Sequence, residues 1–229
     1  MTSAYRAPAY TVFTRPLMRW IARGIFWTLG RVRITGRENV PLGTPYIVAV
    51  NHVSIIDPPA ALAFWPEILE VIGAVDVFDK PFQGQILRLY GTIPVHRGEY
   101  DRALIEKVLA LLKAGRPMLM APEGGRSHAT AMRRAMPGVG FILQKAGVPV
   151  VPAGLVGTTG DFLQRGLRGE RPQIELRIGK PVRLPLVPED AAARHDARQQ
   201  AADLVMSHVA GLLPEEYRGV YAGSAIAPS

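Results

Sequence analysis

Along the chain, short apolar runs bounded by turn residues alternate with stretches whose apolar positions recur every three to four residues. The runs Arg31–Thr35, Tyr46–Val50, Leu69–Ala74, Thr92–Val95, Met118–Met120, Val148–Pro152 and Ile174–Ile178 predict strands. Between them, Pro58–Phe64, Pro81–Leu89, Asp101–Lys113, Gly138–Lys145 and Glu189–Leu213 predict helices. In the helix after Asp101, residues Leu104, Ile105, Val108, Leu109, Leu111 and Leu112 mark the buried face. Strand and helix in alternation argue an α/β fold: a single domain with a mostly parallel, helix-flanked sheet.

Ahead of this alternation, Thr14 and Pro16 supply a helix start and Gly30 a stop. Arg15, Arg19 and Arg23 recur every four residues as one basic stripe. Leu17, Met18, Trp20, Ile21, Ile25, Phe26, Trp27 and Leu29 cover most of the rest. Crossing a bilayer takes about 20 apolar residues without central charges, and this stretch has neither. No small-residue cleavage site follows, so it does not read as a signal peptide either. Two readings stand: a surface helix packed on the domain, or an amphipathic helix lying in the lipid headgroup layer. In the second, the arginines meet anionic lipid while the tryptophans and Phe26 insert; the wide apolar arc favours it. The organisation expected is a membrane-association segment over residues 1–30, one domain over 31–215 and a frayed, small-residue tail over 216–229.

Composition narrows the picture. A chain of 229 residues, 48% hydrophobic and 20% charged, is neither a disordered tail nor a multispan membrane protein. With no cysteine it has no disulfide, thiolate metal site or enzyme-bound thioester. The formal charge is +8, and seven arginines with no acid fall within residues 1–37. Arginine suits phosphate-bearing partners. A nucleic-acid reading would rest on charge alone, and no nucleic-acid partner is expected.

Four stretches could carry chemistry. Asn51-His52-Val53-Ser54-Ile55-Ile56-Asp57 follows a buried strand and offers a general base, His52, with an orienting carboxylate, Asp57. On a continuous helix five positions separate the two by about 140°, so a turn must bring them together. Alternatively Asp57 caps the helix that Pro58 opens, and His52 is a hydrogen-bonded core residue. Ser54 caps a turn and Asn51 braces the backbone; neither reads as a nucleophile. Gly91 to Arg97 is a short strand whose terminal guanidinium either holds a phosphate or pairs with Glu99 or Asp101. Ala121-Pro122-Glu123-Gly124-Gly125-Arg126-Ser127 follows a strand: its glycines allow close backbone approach to an anion, Arg126 adds charge, and Glu123 orients it or accepts a substrate hydroxyl. The plainer reading of this stretch is a turn with a salt bridge. Ala146 to Gly154 reads as a helix end entering a buried strand.

In this order and at these separations, the four stretches resemble the glycerolipid acyltransferases of the 1-acylglycerol-3-phosphate acyltransferase type. The family's Asn-His, four residues, Asp motif is matched by Asn51, His52 and Asp57, with the usual Ser54. Its Gly, hydrophobic strand, Arg motif is matched by Gly91 and Arg97. Its Phe-Pro-Glu-Gly-Thr-Arg-Ser motif is matched by Pro122, Glu123, Gly124, Arg126 and Ser127, and its Val-Pro strand around Pro149 and Pro152. The resemblance implies that His52 deprotonates a glycerol hydroxyl, which attacks the thioester of acyl-CoA or acyl-carrier protein while Asp57 orients His52. It further implies that Asn51, Ser54, Gly91, Arg97, Glu123, Gly124, Arg126 and Ser127 bind substrate, that no metal or cofactor is needed, and that the protein works on the cytoplasmic face of an anionic membrane. The product would be phosphatidic acid, made from a lysophospholipid acceptor. Gly125 stands where the family usually has Thr, Ala121 where it has Phe, and Val75 follows Ala74 where an Ala-Lys pair is common. These departures leave room for another lysolipid or a glycolipid as acceptor, or for a catalytically silent lipid-binding protein.

Overall fold

A computed structural model describes residues 5–96, 101–127, 129–185 and 191–228, with the backbone alone for 191–195. Among these, seven strands form one sheet: β1 (Arg31–Thr35), β2 (Ile47–Val50), β3 (Glu70–Ala74), β4 (Ile93–Val95), β5 (Met118–Met120), β6 (Val150–Val156) and β7 (Gln173–Ile178). The helices are α1 (Thr11–Leu29), α2 (Asp57–Phe64), α3 (Val75–Phe78), α4 (Gln83–Tyr90), α5 (Arg102–Lys113), α6 (Pro137–Ala146), α7 (Phe162–Leu167), α8 (Ala191–Gly211) and α9 (Glu215–Arg218).

The strand order is β1-β7-β6-β2-β5-β3-β4. Strands β6, β2, β5, β3 and β4 run parallel; β7 joins β6 antiparallel, and β1 runs parallel to β7. The sheet is thus mostly parallel and mixed at one edge. The reversal falls at the connection that holds the six-residue helix α7, between β6 and β7. Helices α1, α2 and α7 cover one face, with Phe26, Phe64, Trp65 and Phe162 at the core; α5, α6 and α8 cover the other. Every residue of β2 is buried, Ile47 and Ala49 toward one layer and Val48 and Val50 toward the other.

The orientation of α1 corrects the expectation for its arginines. The stripe faces the protein, not lipid. Arg15 is 2% exposed and grips Glu70 bidentately at 2.8 and 2.7 Å, while its Nε donates to the Tyr90 carbonyl at 2.8 Å. Arg23 donates to the Ala63 carbonyl at 2.6 Å, and Arg19 to the Ala63 and Trp65 carbonyls. Those carbonyls close α2, where unpaired acceptors and the negative end of the helix dipole favour cations by about 0.3–1 kcal/mol each. Phe26, expected to insert into lipid, is in the core against Phe64 and Phe162. Turning the charges inward leaves an apolar surface outside: Phe13 is 80% exposed, Trp20 74%, Leu17 61% and Ile21 55%. No helix among the described residues is long and apolar enough to cross a membrane.

The tail expected to fray instead packs. Glu215–Arg218 and a 3-10 turn over Gly219–Ser224 follow α8, and Tyr217 and Tyr221 join the core beneath α8. Two buried aromatic rings in an otherwise small-residue segment suffice to hold it.

Candidate active site

The chain leaves β2 toward β3 on one side of it, and leaves β5 toward β6 on the other. Connections that diverge at the carboxyl ends of parallel strands open a crevice there. The loops after β2, β5 and β6 meet at that crevice.

Strand β2 ends at Val50, but Asn51 continues its pairing with a side chain. The amide accepts the Leu155 N–H at 2.8 Å and donates to the Leu155 carbonyl at 3.0 Å. The loop therefore leaves the sheet in a fixed direction. Three residues on, the side chains of Ser54 and Asp57 close a turn. Ser54 Oγ accepts the Ile56 N–H at 3.2 Å, and Asp57 Oδ2 accepts the Val53 and Ser54 N–H groups at 2.7 Å each. Pro58 and Pro59 follow and carry no N–H, so the Asp57 carboxylate has nothing to cap at the next two positions of its own helix. It turns back to His52 instead, and the helix-cap alternative drops out.

His52 Nδ1 lies 3.0 Å from Asp57 Oδ2. A carboxylate oxygen that already accepts two N–H groups calls for a proton on Nδ1, which leaves the lone pair on Nε2. Asp57 is fully buried while the His52 side chain retains 15% exposure, so of the pair only the imidazole reaches solvent. The other carboxylate oxygen, Oδ1, accepts the Thr158 hydroxyl.

The loop after β5 fixes the backbone of His52. Glu123 Oε1 accepts the His52 N–H at 2.8 Å, and the Ser127 N–H donates to the His52 carbonyl at 2.8 Å. Glu123 Oε2 accepts the Arg133 N–H at 2.8 Å. Burial pushes the Glu123 carboxyl above the ordinary 4.5, against these two N–H donors. Glu123 is therefore spent on peptide groups inside the protein rather than presented to solvent. Gly124 adopts φ +69°, and a side chain there would press on Met136 at 2.8 Å. Arg126 is exposed beside it, and its carbonyl accepts Arg133 Nη1 at 3.2 Å.

The structure thus gathers Asn51, His52, Ser54, Asp57, Glu123, Gly124, Arg126 and Ser127 at one place. Gly91 is elsewhere: it ends α4 at φ 72°, at the amino end of β4, where a side chain would meet Thr11 at 2.6 Å. Arg97 lies outside the described residues. Two residues escaped the sequence reading. Arg133 gave no signal. Thr158 gave one: the apolar run after Pro152 continues to Val156, which sets Gly157-Thr158 at a strand mouth just as Val50 sets Asn51-His52.

A family model described as Acyltransferase matches residues 31–156, from the first residue of β1 to the last of β6. The chain is 28% identical over 157 residues to the chloroplastic 1-acyl-sn-glycerol-3-phosphate acyltransferase LPAT1 of Arabidopsis thaliana, a stretch covering 66% of this chain and 44% of that one. It is 29% identical over 192 residues to a 1-acyl-sn-glycerol-3-phosphate acyltransferase of Chlamydomonas reinhardtii, covering 82% and 55%. These matches span about half of those relatives. A lyso-ornithine lipid O-acyltransferase of Pseudomonas aeruginosa is 29% identical over 203 residues, covering 81% of this chain and 75% of that one. Among solved structures, the fold resembles the 1-acyl-sn-glycerophosphate acyltransferase PlsC of Thermotoga maritima, with a TM-score of 0.58, 22% identity, and coverage of 82% and 76%. The matched region holds both members of the His52–Asp57 pair and the loop that clamps them, and the chain belongs to the acyltransferase family.

Proposed function

We propose that this protein transfers a fatty acyl group from acyl-CoA or acyl-carrier protein to the free hydroxyl of 1-acylglycerol-3-phosphate, giving phosphatidic acid. The observation that carries the reading is the buried Asp57 held 3.0 Å from Nδ1 of the partly exposed His52. Nε2 takes the proton of the acceptor hydroxyl, and the oxygen attacks the thioester carbonyl. The carbon–sulfur bond then breaks, and the imidazolium returns its proton to the departing thiolate. A positioned general base supplies about 10²- to 10⁴-fold. The exposed Arg126, beside the Gly124-Gly125 turn, is the group we assign to the acceptor's phosphate. Acyl transfer by purified protein to lysophosphatidate, with each thioester donor in turn, tests the reading; absence of phosphatidate with both donors refutes it.

A second acceptor has a specific observation in its favour. The lyso-ornithine lipid acyltransferase shares three quarters of its length with this chain, and Gly125 and Val75 stand where the family resemblance leads one to expect Thr and, often, Lys. Lyso-ornithine lipid therefore belongs in the acceptor panel, and exclusive use of it would keep the mechanism while moving the substrate.

We further infer that the enzyme is monotopic, and the outer face of α1 supports this reading. Phe13, Leu17, Trp20 and Ile21 form one exposed apolar ridge suited to the interfacial region of a bilayer. With Arg15, Arg19 and Arg23 turned inward, attachment rests on insertion more than on charge. Trp20→Glu is expected to abolish co-sedimentation with phospholipid vesicles without changing the melting temperature; retention of binding would refute the assignment.

A further inference from the structure

The segment after α8 is tied to both loops that brace the His52–Asp57 pair, and one residue does most of the tying. The Tyr217 carbonyl accepts the Met132 N–H at 2.9 Å, and its hydroxyl accepts the Gly157 N–H at 3.0 Å. Met132 precedes Arg133, whose N–H holds Glu123; Gly157 precedes Thr158, whose hydroxyl holds Asp57. Tyr217 thus contacts the peptide beside each brace, and at 6% exposure it does so from inside the core. Tyr221 is a useful contrast. Its hydroxyl accepts the Ala135 N–H at 2.9 Å and donates to Asp203 at 2.7 Å, with no bond to the loop after β6.

The two oxygens of Asp57 are served unequally. Among the described residues, Oδ2 has three donors, His52, Val53 and Ser54, while Oδ1 has Thr158 alone. Without that hydroxyl, a fully buried acceptor loses its partner and the carboxylate plane is held from one side only. Thr158 in turn stands where the Gly157 peptide puts it, and the Gly157 N–H is fastened to Tyr217.

We propose that Tyr217 and Thr158 are positioning residues for acyl transfer, with Tyr217 acting through Thr158 on the Asp57 carboxylate and so on the tautomer and orientation of His52. The proposal rests on His52 serving as the base. Thr158→Val is expected to lower kcat on the order of ten-fold, the loss of one buried hydrogen bond, with KM unchanged and with Thr158→Ser restoring most of it. Tyr217→Phe is expected to lower kcat about three-fold, and the double variant is expected to be no slower than Thr158→Val alone. A second readout needs no substrate: nitrogen chemical shifts of the His52 ring, assigned with His52→Gln, report the population protonated at Nδ1. That population is expected to fall in Thr158→Val and Tyr217→Phe and to stay unchanged in Tyr221→Phe. Additive losses in the double variant, or an unmoved His52 tautomer in Tyr217→Phe, would overturn the proposal. A wild-type protein that transfers no acyl group would sink the functional reading alone, because the tautomer measurement still decides the positioning roles.

Discussion

Two buried carboxylates lie near opposite ends of the sheet and are held in opposite ways. Glu70, at the amino end of β3, meets two guanidinium groups, Arg15 bidentately at 2.8 and 2.7 Å and Arg116 at 2.6 Å, together with the Tyr5 hydroxyl at 2.8 Å. Asp57, beyond the carboxyl end of β2, meets no permanent cation among the described residues. Three of its donors are neutral N–H and O–H groups, and the fourth is an imidazole. A guanidinium keeps its proton at any pH the fold survives, whereas an imidazole exchanges its proton near neutrality. The same functional group is therefore a structural pin in one place and, on the proposed function, the orienter of a base in the other. What separates them is whether the partner can give its proton away.

Breaking each site should damage a different quantity. Asp57→Asn places an amide against Nδ1 and favours the tautomer with Nε2 protonated, so kcat is expected to fall on the order of 10⁴-fold in steady-state assays. Glu70→Gln leaves Arg15 buried with half of its pairing and is expected to cost about 3–5 kcal/mol in urea unfolding. The kcat per folded Glu70→Gln molecule should stay near wild type. A large loss there would show that the two ends are coupled, and would break the contrast between them.

The acid limb of stability sharpens the same contrast. Burial pushes the Glu70 carboxyl up, but the bonds from Arg15, Tyr5 and Arg116 outweigh it and hold the group below its ordinary 4.5. Such a carboxylate binds protons more weakly folded than unfolded. Its stabilisation is fully present above the unfolded value and is lost as pH falls through the folded one. Glu123 has the opposite sign. Held above 4.5, it favours the folded state most when protonated, and that contribution fades as pH rises through its folded value. Denaturant titrations below pH 5 should therefore show a shallower acid loss in Glu70→Gln than in wild type; equal slopes would contradict the assignment. The smallest effect is expected at Arg23→Ala, about 1 kcal/mol or less in melting experiments, from loss of one of the two guanidinium donors to the Ala63 carbonyl; kcat should be unchanged.

Much of this could be read along the chain, and what could not has a common cause. All seven strands were visible because each is a local apolar run between turns, and His52 with Asp57 because five positions separate them. Helices α7 and α9 are too short for a periodic signal. The inward turn of the arginine stripe depends on Glu70, 55 positions from Arg15, and the brace on Asp57 comes from Thr158, 101 positions away. The packing of the tail depends likewise on Gly157, 60 positions from Tyr217. Hydrophobic periodicity predicts elements; it carries no information about which distant polar groups those elements bring together.

The most direct measurement is acyl transfer from labelled acyl-CoA and from acyl-carrier protein to lysophosphatidate, comparing purified wild type with His52→Ala at matched folded concentration. Wild-type product, with a loss of about 10²- to 10⁴-fold in the variant, is the expected result for a positioned base. Equal rates for the two proteins would contradict it, and would leave the His52–Asp57 pair as a structural element of the loop after β2.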